Sequence, residues 1–259
     1  MNFKRVAGYG CSVVLAIVLV IAVIAWALSA LPAPVPWKPE PPIPKDMPPV
    51  LGDDVPQIEI NAKGRNADQL FDWSQPIAND TDMSGQALRA YANAELIAAK
   101  KWPDCHVKWN TIAGLGWVET RHGTHSGRKL SSSHIDDNGN VTPKIVGIPL
   151  DGTNGTEKVP DTDGGKLDGD STWDRAIGPM QFIPSSWKQY GLDANGDGVT
   201  DPDNIDDAAL GAAHHLCLTG EDLSTADGWK AAILGYNNSN DYLVKVRDAA
   251  NAYGIRSHP

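Results

Sequence analysis

The chain has 259 residues, 41% of them hydrophobic and 21% charged, with 22 Lys plus Arg against 32 Asp plus Glu for a net charge of −10. That balance excludes a wholly disordered chain and argues against general nucleic-acid binding, while the 25 Gly and 19 Pro follow no three-residue period and exclude collagen. What remains is room for one globular unit of roughly 200 residues behind an atypical start.

From Val6 to Trp37 no side chain is charged, and the run Cys11 to Leu31 is long enough as a helix to cross a hydrocarbon core of about 30 Å. Residues 1–31 are expected to be a single-pass membrane anchor. Lys4 and Arg5 precede the run, so the N-terminus is cytoplasmic and the rest extracytoplasmic. A cleaved signal peptide, which would release a secreted protein, is the alternative. Cys11 opens the apolar run, whereas a lipidated cysteine would follow it. Ten prolines lie between Pro32 and Pro56, which favours an extended chain, and residues 32–65 are expected to be a stiff linker. The domain proper is placed at 66–259.

Outside the membrane Cys105 and Cys217 are the only two thiols, and an oxidising compartment favours a disulfide between them. In the chain-entropy account such a bridge is worth roughly 4 to 5 kcal/mol. Leu88, Tyr91, Ala92, Glu95, Leu96 and Ala99 recur at helical spacing and predict a helix over 84–101, capped by Ser84 or Asp82. A second helix is predicted over 111–121 with Asn110 as its cap, and further ones over 206–218, 226–234 and 240–252. Strand signals are confined to about 144–148, inside a polar excursion from Ser131 to Asp174. An excursion of that length inside a compact domain is usually functional or carries a small β-hairpin. The predicted class is mainly α.

On the second helix Ile112, Leu115, Gly116 and Glu119 share one face, so an apolar stripe ends in a carboxylic acid. Desolvation would raise its pKa and fit it for general acid work. Alternatively Glu119 turns sideways to Arg121 or His122. A further motif, Asp193, Asn195, Asp197 and the Val199 carbonyl with Gly198 at the sixth position, places hard oxygen donors as an EF-hand loop does for Ca2+. Its twelfth position is Asn204 rather than Glu. The competing reading is an Asp/Gly turn at a helix start. The acidic run from Asp161 to Asp170 lacks that register and is expected to be turn-rich, and adjacent His214 and His215 are poor joint ligands.

Three blocks in order, Gly-Trp-Val-Glu-Thr-Arg-His-Gly at 116–123, Ala-Ile-Gly-Pro-Met-Gln-Phe-Ile-Pro-Ser-Ser-Trp at 176–187 and Gly-Tyr-Asn-Asn-Ser-Asn-Asp-Tyr at 235–242, resemble the signatures of the membrane-bound lytic transglycosylase B family, notably its actinobacterial members. The resemblance covers about Ala87 to Tyr253. It implies a lysozyme-like helical domain, of the SLT or goose-type kind, that cleaves the β-1,4 bond between N-acetylmuramic acid and N-acetylglucosamine and leaves a 1,6-anhydromuramoyl end. It further implies Glu119 as the single catalytic acid, with Gln181, Tyr236 and Asn237 lining the sugar cleft and Met180 and Phe182, beside Gln181 in the same block, expected to bind substrate as well. Asp207 would close a lengthened calcium loop, the ion being structural and no organic cofactor being needed. Trp173 is the candidate for stacking on a sugar ring, whereas Trp117 and Trp187 are expected to pack. Expected partners are peptidoglycan glycan strands, the membrane through the N-terminal helix, and proteins of wall synthesis or division. Two other functions compete: a lysozyme-like hydrolase, for which Asp170 or Asp174 could be a second carboxylate, and a wall-binding module without catalysis.

Overall fold

In the computed structural model the described residues are 41–125, 132–218 and 222–259. The expected membrane-spanning segment lies outside them; among the described residues no helix is long and apolar enough to cross a membrane. A short 3-10 turn, Asn66–Leu70, leads into α1, Phe71–Thr81, a helix that local pattern did not predict and that carries Pro76 in its interior. Then come α2, Gly85–Lys101, and α3, Trp109–Thr120. The later helices are α4, Pro184–Tyr190, α5, Ile205–Leu218, α6, Ala226–Tyr236, and α7, Asn240–Gly254. The mainly α class is therefore observed.

Two antiparallel pairs interrupt the helices: β1, His134–Ile135, with β2, Val141–Thr142, and β3, Val146–Pro149, with β4, Arg175–Ile177. Both lie in or at the edge of the polar excursion. Within its acidic stretch the Asp161 carboxylate accepts the amides of Asp163, Gly164 and Gly165, the self-contained turn chemistry of Asp beside Gly.

The core forms where α2 packs on α5 and α3 packs on α7. Leu88, Tyr91, Ile112, Leu115, Leu210, Leu243 and Val246 have essentially no exposed surface. Asn110 does not cap α3, which starts one residue earlier. Glu95 of α2 does that work instead: its carboxylate accepts the Trp109 amide at 2.7 Å and the Lys108 ammonium at 2.9 Å, satisfying an orphan donor with an anion at the positive end of the helix. Asn110, inside the helix, donates to the carbonyls of Val50 and Ala250. Local capping governs α6 and α7, where Thr225 accepts the Gly228 amide and Ser239 that of Tyr242.

The Cys105–Cys217 disulfide is present and ties the α2–α3 connection to the end of α5. Residues 41–65, within the expected linker, fall in one compact unit with the helices. The Trp109 indole donates to the Asp53 carbonyl and the Trp73 indole to that of Asp54, while Asp53 forms a two-pronged pair with Arg256 and Asp46 pairs with Arg247. A proline-poor stretch, Val50 to Val55, thus straps itself across the helices through its carbonyls.

Candidate active site

Glu119 sits in the last turn of α3, at the end of the fully buried stripe that contains Ile112 and Leu115. The helix stops abruptly just after it. Arg121, His122 and Gly123 all have left-handed backbone, with φ of 51°, 59° and 77°. Two such non-glycine residues in a row carry a conformational cost that surrounding contacts must hold in place. Those contacts are visible. The Thr120 hydroxyl donates to the Pro179 carbonyl at 2.6 Å and accepts the Gly123 amide at 2.8 Å. The His122 ring bonds Tyr91 through Nδ1 at 3.0 Å and Tyr253 through Nε2 at 2.7 Å, and its burial lowers its pKa to about 3, so it is neutral. Gly116 makes this possible, since a Cβ there would lie 2.2 Å from the Tyr91 hydroxyl.

The alternative in which Glu119 pairs with Arg121 or His122 is not what forms. The Arg121 guanidinium carbon lies over the Trp117 ring, 3.9 Å from its centroid, His122 is held by its two tyrosines, and the Tyr242 hydroxyl donates to Glu119 Oε1 at 2.5 Å. Glu119 is half-buried. Removal of water from around the carboxylate raises its pKa to about 7, against the opposing pull of the Tyr242 hydrogen bond. Near neutral pH the group is therefore part acid and part base, with one oxygen anchored by Tyr242.

The ring of Tyr242 lies parallel to that of Tyr236, with centroids 6.5 Å apart, and the Tyr236 hydroxyl donates to the Met180 carbonyl at 2.8 Å. The chain Glu119, Tyr242, Tyr236, Met180 thus joins α3, α7 and α6 to the turn before α4, and the Thr120 to Pro179 bond ties α3 to that turn a second time. Gln181 follows Met180 with left-handed backbone at φ 50°; its side-chain amide donates to the Gly178 carbonyl at 2.9 Å, and its carbonyl oxygen lies beside Gly147 of β3. The side chains of Met180 and Phe182 are buried, Phe182 against Trp187 and Tyr236, so what Met180 contributes here is its backbone. Trp187 packs in the core, and Trp117, half-buried, packs against it, both as expected. Asn237 is exposed at the end of α6. Trp173 is half-buried in the excursion, bridged to Pro160 and covered by the Lys158 ammonium at 5.3 Å. Tyr242, the partner of Glu119, was not singled out in sequence although it ends the third block.

Asp170 and Asp174 are both committed within the excursion: Asp170 binds Arg175 at 2.8 Å, and Asp174, with no exposed surface, accepts the amide and hydroxyl of Thr162. The acidic loop curls on itself. Asp193 accepts the amides of Gly196 and Gly198, Asn195 that of Asp197, and Asp197 that of Val199. Asp207 accepts the amides of Ala194 and Asp201, and burial raises its pKa to about 7. The donors have the oxygen chemistry for Ca2+, but among the described residues no three His, Cys, Asp or Glu side chains converge as a metal site.

A protein-family model described as Transglycosylase SLT domain matches residues 161–231. That span contains Gln181 and the acidic loop; Glu119 and Tyr236 lie outside it. No curated protein sequence matches the chain. Among solved structures the chain is similar to the Escherichia coli lytic transglycosylase Slt35 in complex with bulgecin A, at 15% identity and a TM-score of 0.38, over 80% of this chain and 96% of that one. A second structure, Slt35 in complex with calcium, gives a TM-score of 0.39 at the same identity and coverage.

Proposed function

We propose that the protein is a peptidoglycan lytic transglycosylase with Glu119 as its single acid and base. The observation that carries this reading is a half-buried carboxyl at the end of an apolar stripe, its pKa raised to about 7 and one oxygen fixed by Tyr242. The SLT match over 161–231 supports the substrate class, and Gln181 and Tyr236 lie in or against the turn to which α3 is tied.

Protonated Glu119 gives its proton to the glycosidic oxygen as the bond to C1 of the muramoyl sugar breaks, which releases the N-acetylglucosamine alcohol. Positive charge develops on the ring and ring oxygen, and the newly formed carboxylate faces it. The C6 hydroxyl of the same sugar then attacks C1, and Glu119 takes its proton. One bond is broken, one is formed, and the acid returns to its starting state without water. Tyr242 keeps Oε1 in place through both halves, and Gln181 and Asn237 supply amide groups for the sugar hydroxyls and acetamido group. A hydrolase would need a positioned water and commonly a second carboxylate, and the ties of Asp170 and Asp174 weigh against either serving as that carboxylate.

Mass spectrometry of purified peptidoglycan after incubation with wild type and with Glu119→Gln tests the reading. Anhydromuramoyl products from wild type alone are expected; reducing ends would make the protein a hydrolase, and binding without products a wall-binding module.

Residues 11–31 anchor the chain in the membrane with the catalytic unit outside, acting on wall strands during remodelling beside synthesis or division proteins. The apolar run and the disulfide support this placement. Ca2+ bound by Asp193, Asn195, Asp197, the Val199 carbonyl and Asp207 belongs to the proposal on spacing and donor chemistry, as a structural ion. EDTA should then lower the melting temperature by several degrees, with recovery on adding Ca2+; an unchanged transition removes calcium from the account.

A further inference from the structure

Three residues beyond Glu119, the His122 ring closes a polar triad that the proton transfers above do not use. Its members come from three places, Tyr91 from α2, His122 from the turn after α3 and Tyr253 from α7, and all three are buried. Tyr91 meets Nδ1 at 3.0 Å and Tyr253 meets Nε2 at 2.7 Å, and among the described residues neither hydroxyl has another hydrogen-bond partner. Burial keeps the imidazole neutral, with Arg121 and His258 adding to the effect, and a neutral ring offers one donor and one acceptor. The triad is therefore closed on itself. Apolar rings would fill the same space without desolvating polar groups, so what the polar version adds is a fixed geometry.

That geometry bears on the acid from both sides. Tyr253 and Tyr242 belong to the same helix and lie about three turns apart, which returns them to one face of α7. One hydroxyl of that face holds Glu119 Oε1 and the other holds His122. Three residues before the acid, a Cβ on Gly116 would stand only 3.4 Å from His122 Nδ1 and inside contact distance of the Tyr91 hydroxyl, and the Gly116 carbonyl accepts the His122 amide at 2.9 Å. The triad thus grips the end of α3 before and after Glu119, against α2 and against the face of α7 that supplies Tyr242.

We infer that His122 is a positioning residue for Glu119: by fixing the end of α3 to Tyr253 it sets the contact between Glu119 and Tyr242. The inference rests on the reading of Glu119 as the acid and adds a side chain that never meets the sugar. Loss of the grip should loosen that one contact and slow the proton transfers, with substrate binding almost unchanged. A residue that only stabilised the fold would have no such selective effect.

The test is a double-mutant cycle in the full chain, read by the carboxyl titration of Glu119 and by turnover of purified peptidoglycan. His122→Asn tolerates the left-handed backbone and keeps a polar atom near Nδ1 for Tyr91, but is too short to reach Tyr253. Tyr253→Phe cuts the same bond from the other side and keeps the packing. In wild type, Tyr242→Phe should raise the Glu119 midpoint; in either variant background it should move the midpoint by less than about half as much. Each variant alone should lower kcat by about ten-fold with KM within about two-fold. Should His122→Asn not fold, Tyr253→Phe decides. A Tyr242→Phe shift of the same size in both backgrounds overturns the inference, as does a wild-type midpoint that Tyr242→Phe leaves in place, or a loss of activity confined to KM. If wild type cuts no peptidoglycan the proposed function fails, and the cycle of midpoints still decides the role of His122.

Discussion

Glu119 and Asp207 are both buried enough for their pKa values to rise to about 7, yet the protein uses them in different ways. Asp207 accepts two backbone amides, one from each side of the acidic loop, and both of its oxygens are committed to holding that loop against α5. Glu119 receives one side-chain hydroxyl on one oxygen. The same desolvation thus supports architecture where both oxygens hold backbone amides, and reactivity where one oxygen has no internal donor. A raised pKa does not identify a catalytic acid; an oxygen free of internal donors does.

Substitution should separate the two most sharply at Glu119. Glu119→Gln should lower the turnover of peptidoglycan by 10³-fold or more, in line with loss of a general acid and base. Its effect on stability should have the opposite sign. Because folding raises the pKa of Glu119 above its ordinary value, the folded state binds the proton more tightly, and ionisation costs stability increasingly as pH rises from about 4.5 to about 7. The variant should therefore melt above wild type at pH 8 and close to it at pH 4. A variant that melts lower at pH 8 would mean that the carboxylate is structural.

Asp207→Ala should do the converse. Two backbone amides, one buried and one half-buried, lose their acceptor, a change worth about 2 to 4 kcal/mol in urea unfolding, while turnover per folded molecule stays within about three-fold of wild type. Loss of turnover without loss of stability would erase the distinction between the two carboxylates.

The smallest change is the most informative about Glu119. Tyr242→Phe removes a donor that favours the charged carboxylate, so the Glu119 pKa should rise further and the basic limb of the pH profile should move upward. A limb that stays fixed would detach Tyr242 from the acid.

Much of this arrangement was legible in the sequence wherever a local period carried it. The stripe of Ile112, Leu115 and Gly116 pointed to Glu119, and the same spacing located α2, α5, α6 and α7 within a few residues. What stayed hidden depends on distant partners. Glu95 looked like one more residue of an amphipathic helix, and only packing shows it capping α3 from 14 positions away. Asn110 has the chemistry of a cap but is drawn into bridging Val50 and Ala250, a strap and a helix no local window connects. Helix α1 was obscured by Pro76, which reads locally as a breaker. Tyr242 lies 123 positions from Glu119, and nothing in its own turn distinguishes it from a packing aromatic. The resemblance in three blocks supplied the neighbourhood of the site, whereas the division between side chains that line it and those that support it, such as Met180 and Phe182, came from burial.

What equips Glu119 for proton transfer is a carboxyl that keeps a large share of its protons at neutral pH in the free protein. Carbon-13 NMR of glutamate-labelled protein, with Glu119→Gln used to assign the resonance, follows that carboxyl directly through a pH titration. A midpoint near 7 that rises in Tyr242→Phe is expected; a midpoint near 4.5, unmoved by that substitution, would remove Glu119 as the general acid.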